Sequence, residues 1–348
     1  MKKLKYTIPT EFMANKIFDA SRMGILCDFQ PSYPELFIRF MHFTIEKKLT
    51  QDGYFLDCNY YDEISFLAVK KIPINLLDRE KGILEFIKKA IDLGYYILLP
   101  VDTKFITPYL NYGKEHYIHH LFIYGYNQKQ VLCGDFFHYS DGKFSVQKVS
   151  FTEIVEAYKG VQKYLEDTSD PMDYSDEWKR DIELLRLMKN QKIKFSLDNL
   201  ITNITYFLNS CDSSGNKGIK EKMFYGMESY DLIIKYLKDL DSFSDKTIDT
   251  RILTLLYYRY IFMEKQCRYV EKELVRNECD FLIFYKGYEE MQKLAKGMLL
   301  LAMKYNIALR NGVKLKVQNT LKNLQEKDQK LMKGYLEKLI QIKNGTCG

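Results

Sequence analysis

The chain has 348 residues, 46% hydrophobic and 28% charged, enough apolar mass for one large core or two ordinary ones. Its 52 Lys and Arg against 46 Asp and Glu leave +6, spread along the chain without a basic block, which argues against nucleic-acid binding. No apolar run is long enough to span a bilayer, and the opening MKKLKYTIPTEF lacks the apolar stretch of a signal peptide, so a cytoplasmic protein without membrane association is expected. The seven cysteines, at 27, 58, 133, 211, 267, 279 and 347, are odd in number, scattered and without CxxC spacing, which favours reduced thiols over a disulfide framework or zinc ribbon.

In chain order, the first signal is a helix over Pro34 to Lys48, opened by the capping box of Ser32 and Glu35 with Pro34 in the first turn. FLDCNYY and ISFLAVKKI read as strands, and Glu80 to Leu93 as a helix. YYILLPVD, Tyr95 to Asp102, is a short apolar run ending in Pro and Asp, as a buried strand entering a loop would. HHLFIYGYN and QVLCGDFF are two further strands around a turn at Tyr126 to Lys129, and KFSVQKV follows the turn SDGK. After about residue 170 strands give way to amphipathic segments over 176–192, 197–210, 218–240, 247–274, 279–307 and 314–343. Start signals stand at Ser175, Ser196 and Thr247 with Asp249. DTSDPMDYSDE, residues 167–177, is the linker candidate. CDSSGNKG at 211–218 lacks the order GxxxxGK[ST] of a phosphate loop and reads as a helix connector. The expected fold is α+β: a domain over 1–168 with an antiparallel sheet, then an all-helical region over 169–348.

Three of the five histidines, His116, His119 and His120, fall in YGKEHYIHH just before a strand, and the next strand carries Asp135. A histidine opening one antiparallel strand can meet a carboxylate on its neighbour, which accepts the Nδ1 proton and fixes the tautomer a general base needs. A cysteine brought to the other nitrogen would have its thiolate stabilised by the imidazolium. HxxHH also offers zinc ligand types, but the spacing i, i+3, i+4 converges only on a helix, and this segment reads as loop to strand.

HHLFIYGYNQKQVLCGDFF resembles the signature of papain-like and bacteriocin-processing cysteine peptidases, in which a His precedes a hydrophobic strand ending in Gly-Tyr and an Asp or Asn follows on the next strand. His119 matches the catalytic histidine six residues before Gly125, Gly125 and Tyr126 the strand-ending pair, and Asp135 the orienting carboxylate. The loop VDTKFITPYLNYGKEHYIHH, the GDFF strand, the helix YKGVQKYLE and the helical C-terminal half together resemble a branch recruited into natural-product assembly, the butirosin-type acyltransferases and closthioamide-type amide synthases. Specific motifs are confined to residues 95 to 160.

What the resemblance implies is a papain-like domain whose cysteine receives an acyl group from a thioester and whose histidine then helps an amine attack it. No bound cofactor is implied. The donor would be an acyl or peptidyl carrier protein presenting its substrate on a phosphopantetheine arm, and a mild positive charge suits such an acidic partner. Cys27 is the early cysteine that fits a papain-like nucleophile by chain position, with Cys58 as the rival and Cys133 read as a core thiol. Ser21 stands where papain-like enzymes have an oxyanion-hole glutamine, so the second oxyanion donor is open. The same triad could serve a peptidase or thioesterase, or survive in a non-catalytic carrier-binding scaffold.

Overall fold

Period-two alternation in HHLFIYGY and continuous apolar runs such as YILLPV build the sheet on which the candidate residues stand. The structure, a computed structural model, describes residues 1–9, 16–39, 44–50, 53–59, 64–77, 82–138, 143–167, 180–212, 215, 222–243, 246–274 and 281–345. The elements up to residue 167 are β1 (Lys2–Lys3), α1 (Ile17–Leu26), α2 (Tyr33–Arg39), β2 (Thr44–Thr50), β3 (Gly53–Asn59), β4 (Leu67–Pro73), α3 (Gly82–Asp92), β5 (Tyr96–Asp102), β6 (Ile118–Tyr126), β7 (Gln130–Asp135), β8 (Ser145–Ser150) and α4 (Phe151–Asp167). Beyond it come β9 (Asp181–Leu187), α5 (Leu197–Leu208), β10 (Met223–Tyr225), α6 (Gly226–Asp239), α7 (Thr250–Leu274), α8 (Leu282–Ala308) and α9 (Asn311–Lys343). No described helix is long and apolar enough to cross a membrane.

The chain forms two compact units: Met1–Thr10, Ala14–Gln30 and Glu63–Lys192 in one, and Glu11–Met13, Pro31–Asp62 and Ile193–Gly348 in the other. The first is an antiparallel sheet in the order β4-β9-β5-β6-β7-β8, with β1 paired to the far end of β6. On one face, Ile83, Ile87 and Ile91 of α3 and Ile154, Ala157, Tyr158 and Val161 of α4 pack on Ile97, Leu99 and Val101 of β5, Leu121 and Ile123 of β6, and Val131 and Cys133 of β7. The other face carries Tyr96, Phe122 and Tyr124, covered by Tyr6, and α1 packs against β6 and β9.

Three expectations are corrected here. The segment expected as a helix over 176–192 contains β9, a strand between β4 and β5, and this strand carries the first unit past residue 168 to Lys192. Ile182, Leu184 and Leu185 are all buried, because an inner strand is covered on both faces and loses its alternation. The helix opened by Ser32 and Glu35 ends at Arg39, and Thr44–Thr50 is a strand of a second sheet, β10-β2-β3. The 167–177 linker beyond Asp167, the Ser175 start signal, most of SDGK, most of the 211–218 connector, Cys279 and Cys347 lie outside the described residues.

In the second unit α7 packs on α8 and α8 on α9, while α5 and α6 pack on α9. Ser196 opens α5, its Oγ accepting from the Asn199 amide at 3.2 Å. The bundle encloses a polar cluster at zero exposure. Asp328 of α9 accepts from Arg259 Nη1 at 2.6 Å and from the Tyr230 hydroxyl at 2.7 Å, and the Tyr230 and Tyr260 hydroxyls are 2.7 Å apart. The guanidinium also stands 4.2 Å from the centre of the Phe207 ring. Because removing one member leaves a charge buried without its counterion, Asp328→Ala is expected to destabilise this unit by about 3–5 kcal/mol. Chemical unfolding followed by circular dichroism checks this, and a loss under about 1 kcal/mol would contradict it.

Candidate active site

Along β6, alternation sends His119, Leu121 and Ile123 to the face covered by α3 and α4, and His120, Phe122 and Tyr124 to the face covered by α1. The register confirms the assignment, since His119 lies opposite Val101 and His120 opposite Pro100 on β5. On the other side Ile123 lies opposite Cys133, so Asp135, two residues on, shares the His119 face.

The sheet therefore brings His119 and Asp135 together: Nε2 stands 3.4 Å from Asp135 Oδ2, with the carboxylate fully buried and the imidazole side chain 16% exposed. The nitrogen facing the carboxylate is Nε2 and not the expected Nδ1. Asp135 is fixed by two hydrogen-bond donors. The Phe136 amide donates to Oδ1 at 2.7 Å, and the buried Tyr109 hydroxyl donates to Oδ2.

Tyr109 belongs to the loop 103–117, which chain order alone did not identify as part of the site. Glu153 in the first turn of α4 holds the start of this loop, accepting from the Thr107 amide at 3.0 Å and its hydroxyl at 2.5 Å. The same carboxylate closes a capping box with Ser150, accepting the Ser150 amide at 2.9 Å while Ser150 Oγ accepts the Glu153 amide at 3.2 Å. At the end of the loop the Tyr117 ring stacks on His119, with centroids 5.9 Å apart and planes at 18°. Tyr117 also lines an open surface cavity of about 340 Å³ with Leu110, Asn111, Lys114 and Glu115.

His116 makes a second carboxylate–imidazole pair. Its Nδ1 lies 2.5 Å from Oδ2 of the fully buried Asp102, whose Oδ1 accepts from the Tyr117 amide at 3.3 Å and the Lys104 amide at 3.2 Å.

Cys27 is not brought to this site. It closes α1, its amide donating to the Met23 carbonyl at 2.7 Å, and its thiol faces the Thr7 and Gly24 carbonyls at 3.8 and 3.7 Å. Tyr6, whose hydroxyl donates to the Ala20 carbonyl and whose Cε2 lies where a Gly24 side chain would stand, packs on Phe122 and Tyr124, on the sheet face away from His119. Phe18, near the other end of α1, meets the His120 ring at 5.0 Å, and Cys27 follows nine residues later, about 13 Å along the helix axis. Burial first, and the neighbouring Asp28 second, push the Cys27 thiol up, whereas a cysteine at a helix N-terminus is drawn down. The residue preceding α1 is Lys16.

Ser21 and Cys133 take structural places. Ser21 is fully buried, its hydroxyl donating to the Phe18 carbonyl at 2.9 Å within α1, so it offers no oxyanion donor on the His119 face. Cys58 lies in β3 of the second unit. Cys133 is a core thiol in contact range of the Gln147 carbonyl, and burial raises its pKa well above the ordinary range. No known family profile matches this chain, and no curated protein matches it.

His120 is 1% exposed, and its Nε2 donates to the Asp181 carbonyl at 3.2 Å. Burial, only partly offset by that hydrogen bond, pushes its pKa down to about 3. The unfolded chain takes up a proton near pH 6.5 that the folded chain refuses, so this histidine's contribution to stability is present above that pH and is lost as pH falls toward 3. Between about pH 7 and about pH 4.5 it accounts for roughly 2–3 kcal/mol of lost stability. His120→Leu is expected to show a shallower decline by that amount in urea unfolding at the two pH values, and parallel declines would contradict it.

Proposed function

We propose that this chain transfers an acyl group from a carrier-protein thioester to an amine, with His119 as the general base and Asp135 as its positioning residue. The observation that carries the reading is the pairing of the two side chains on adjacent strands, with the Tyr117 ring stacked on His119. The resemblance of residues 95 to 160 to natural-product acyltransferases supplies the substrate class, with the acyl group offered on a phosphopantetheine arm.

The fixed parts support a definite order of events. Asp135, held by Tyr109 and the Phe136 amide, stabilises positive charge on His119 as the imidazole accepts a proton from the attacking amine. The amine attacks the thioester carbon, the carbon–sulfur bond breaks, and His119 returns its proton to the departing thiolate, which leaves as the thiol of the carrier arm. A thioester is higher in free energy than an amide, so the step needs no nucleotide. An acyl-enzyme on Cys27, which chain position suggested, is not part of this proposal: the thiol lies across the sheet and burial suppresses its ionisation. The amine itself is the nucleophile.

Three variants with a carrier-bound acyl thioester and a panel of amines test the reading, with mass spectrometry of the product. His119→Ala is expected to lower amide formation roughly 100- to 10,000-fold, the usual worth of a positioned base. Asp135→Asn should lower it less, and Cys27→Ala should leave it within about twofold. Hydrolysis without amide would reassign the site to a thioesterase. An absence of both products in the wild type, or an acyl adduct on Cys27 lost in Cys27→Ala, would overturn the proposal.

A further inference from the structure

Lys104 Nζ lies 3.1 Å from Nε2 of His116, whose Nδ1 lies 2.5 Å from Oδ2 of Asp102. An ammonium can only donate, so His116 accepts through Nε2 and carries its proton on Nδ1, directed at the carboxylate. Amine, imidazole and buried carboxylate are thus linked in one chain of contacts, in the order that activates a nucleophile through a base held by an acid.

The surroundings favour chemistry over a passive surface contact. Asp102 is fully buried, and its other oxygen is taken by two backbone amides, which fixes the direction of the oxygen that faces His116. α4 approaches this carboxylate at Gly160, where a Cβ would come within 2.7 Å of Asp102 Oδ2, so the helix carries its weakest helix-former at the point of contact. The reactive end is open: the His116 side chain is 57% exposed and Lys104 is half-buried, so a substrate can reach the amine.

We propose that Lys104 is an acyl-accepting amine, activated by His116 and Asp102, that takes an acyl group from a thioester. In the balanced step the Lys104 ammonium gives one proton to His116 Nε2. The freed amine forms a nitrogen–carbon bond with the thioester carbonyl, and the carbon–sulfur bond breaks. His116 returns its proton to the departing thiolate, and the second nitrogen-bound proton passes to water. The products are Nε-acyl-Lys104, a thiol and a proton, with no oxidation or reduction. The donor class rests on the function proposed above, but the base and the acceptor are different residues from His119 and Asp135.

An acyl thioester of N-acetylcysteamine, supplied below one equivalent to the full chain, tests this by peptide mapping over time. Lys114, exposed on the same loop, is the internal reference. Lys104 is expected to be acylated roughly tenfold or more faster than Lys114. His116→Gln should bring the Lys104 rate down to that of Lys114 while leaving the Lys114 rate unchanged, which also reports that the loop is intact. Lys104→Arg should keep the charge and remove the modification. His119→Ala should leave acylation of Lys104 in place, so a failed amide assay and a failed Lys104 reaction are separate results. Equal rates at Lys104 and Lys114 in the wild type, or a Lys104 advantage that survives His116→Gln, would overturn the proposal.

Discussion

Side chains on β6 alternate between two covered faces, and the residues paired with them on β5 and β7 must follow. Because both faces are packed, this register cannot slip: a shift by one residue would send Leu121 and Ile123 out of the core formed with α3 and α4 and bring the ring of Phe122 into it. His119 is thereby committed to the face that holds Asp135, and His120 to the face covered by α1. One histidine is left partly exposed; the other is kept neutral by burial. Adjacent residues of the same type have opposite chemistry because of a two-residue period.

The loop 103–117 turns this register into a site. It is tied down by buried or half-buried carboxylates, Glu153 near its start and Asp102 at both its ends. Bound this way, it delivers the Tyr109 hydroxyl to Asp135 and the Tyr117 ring to His119. The positioning of the His119 pair therefore depends on residues whose own contacts are with backbone amides and with α4. The second imidazole–carboxylate pair is a product of the same clasp, since the oxygen of Asp102 not used on the backbone is the one that meets His116.

The β6–β7 hairpin was readable in the sequence because each of its signals is local: strand alternation, the Asn127 side chain accepting from the Lys129 and Gln130 amides in the turn, and an acid one strand away. The amphipathic segments of the second unit were readable for the same reason, apart from β10, which occupies the start of the segment expected to run from 218 to 240. What failed depended on partners distant in the chain. DIELLRL carries apolar residues at a spacing a helix would also use, and only its place between two strands makes it an inner strand. TIEKKLT has a single buried side chain, Ile45, and gains its strand character from β3 and β10. Helix α1 is buried around nearly its whole circumference and so shows little amphipathic pattern. Cys27 was placed by chain order, which says nothing about which face of a sheet a residue meets. Tyr109 and Asp102 lie in the loop that carries the resemblance, but their roles come from where that loop is tied.

The account stands on the separation of Cys27 from His119 by the sheet, and oxidative cross-linking of a His119→Cys variant reads that separation directly. Two cysteines whose Cα atoms lie more than about 7 Å apart cannot be bridged without backbone movement. The account predicts that peptide mapping after mild oxidation finds no disulfide between Cys27 and the residue introduced at 119. A bridge formed in good yield in the folded protein would put the thiol on the His119 face and contradict it.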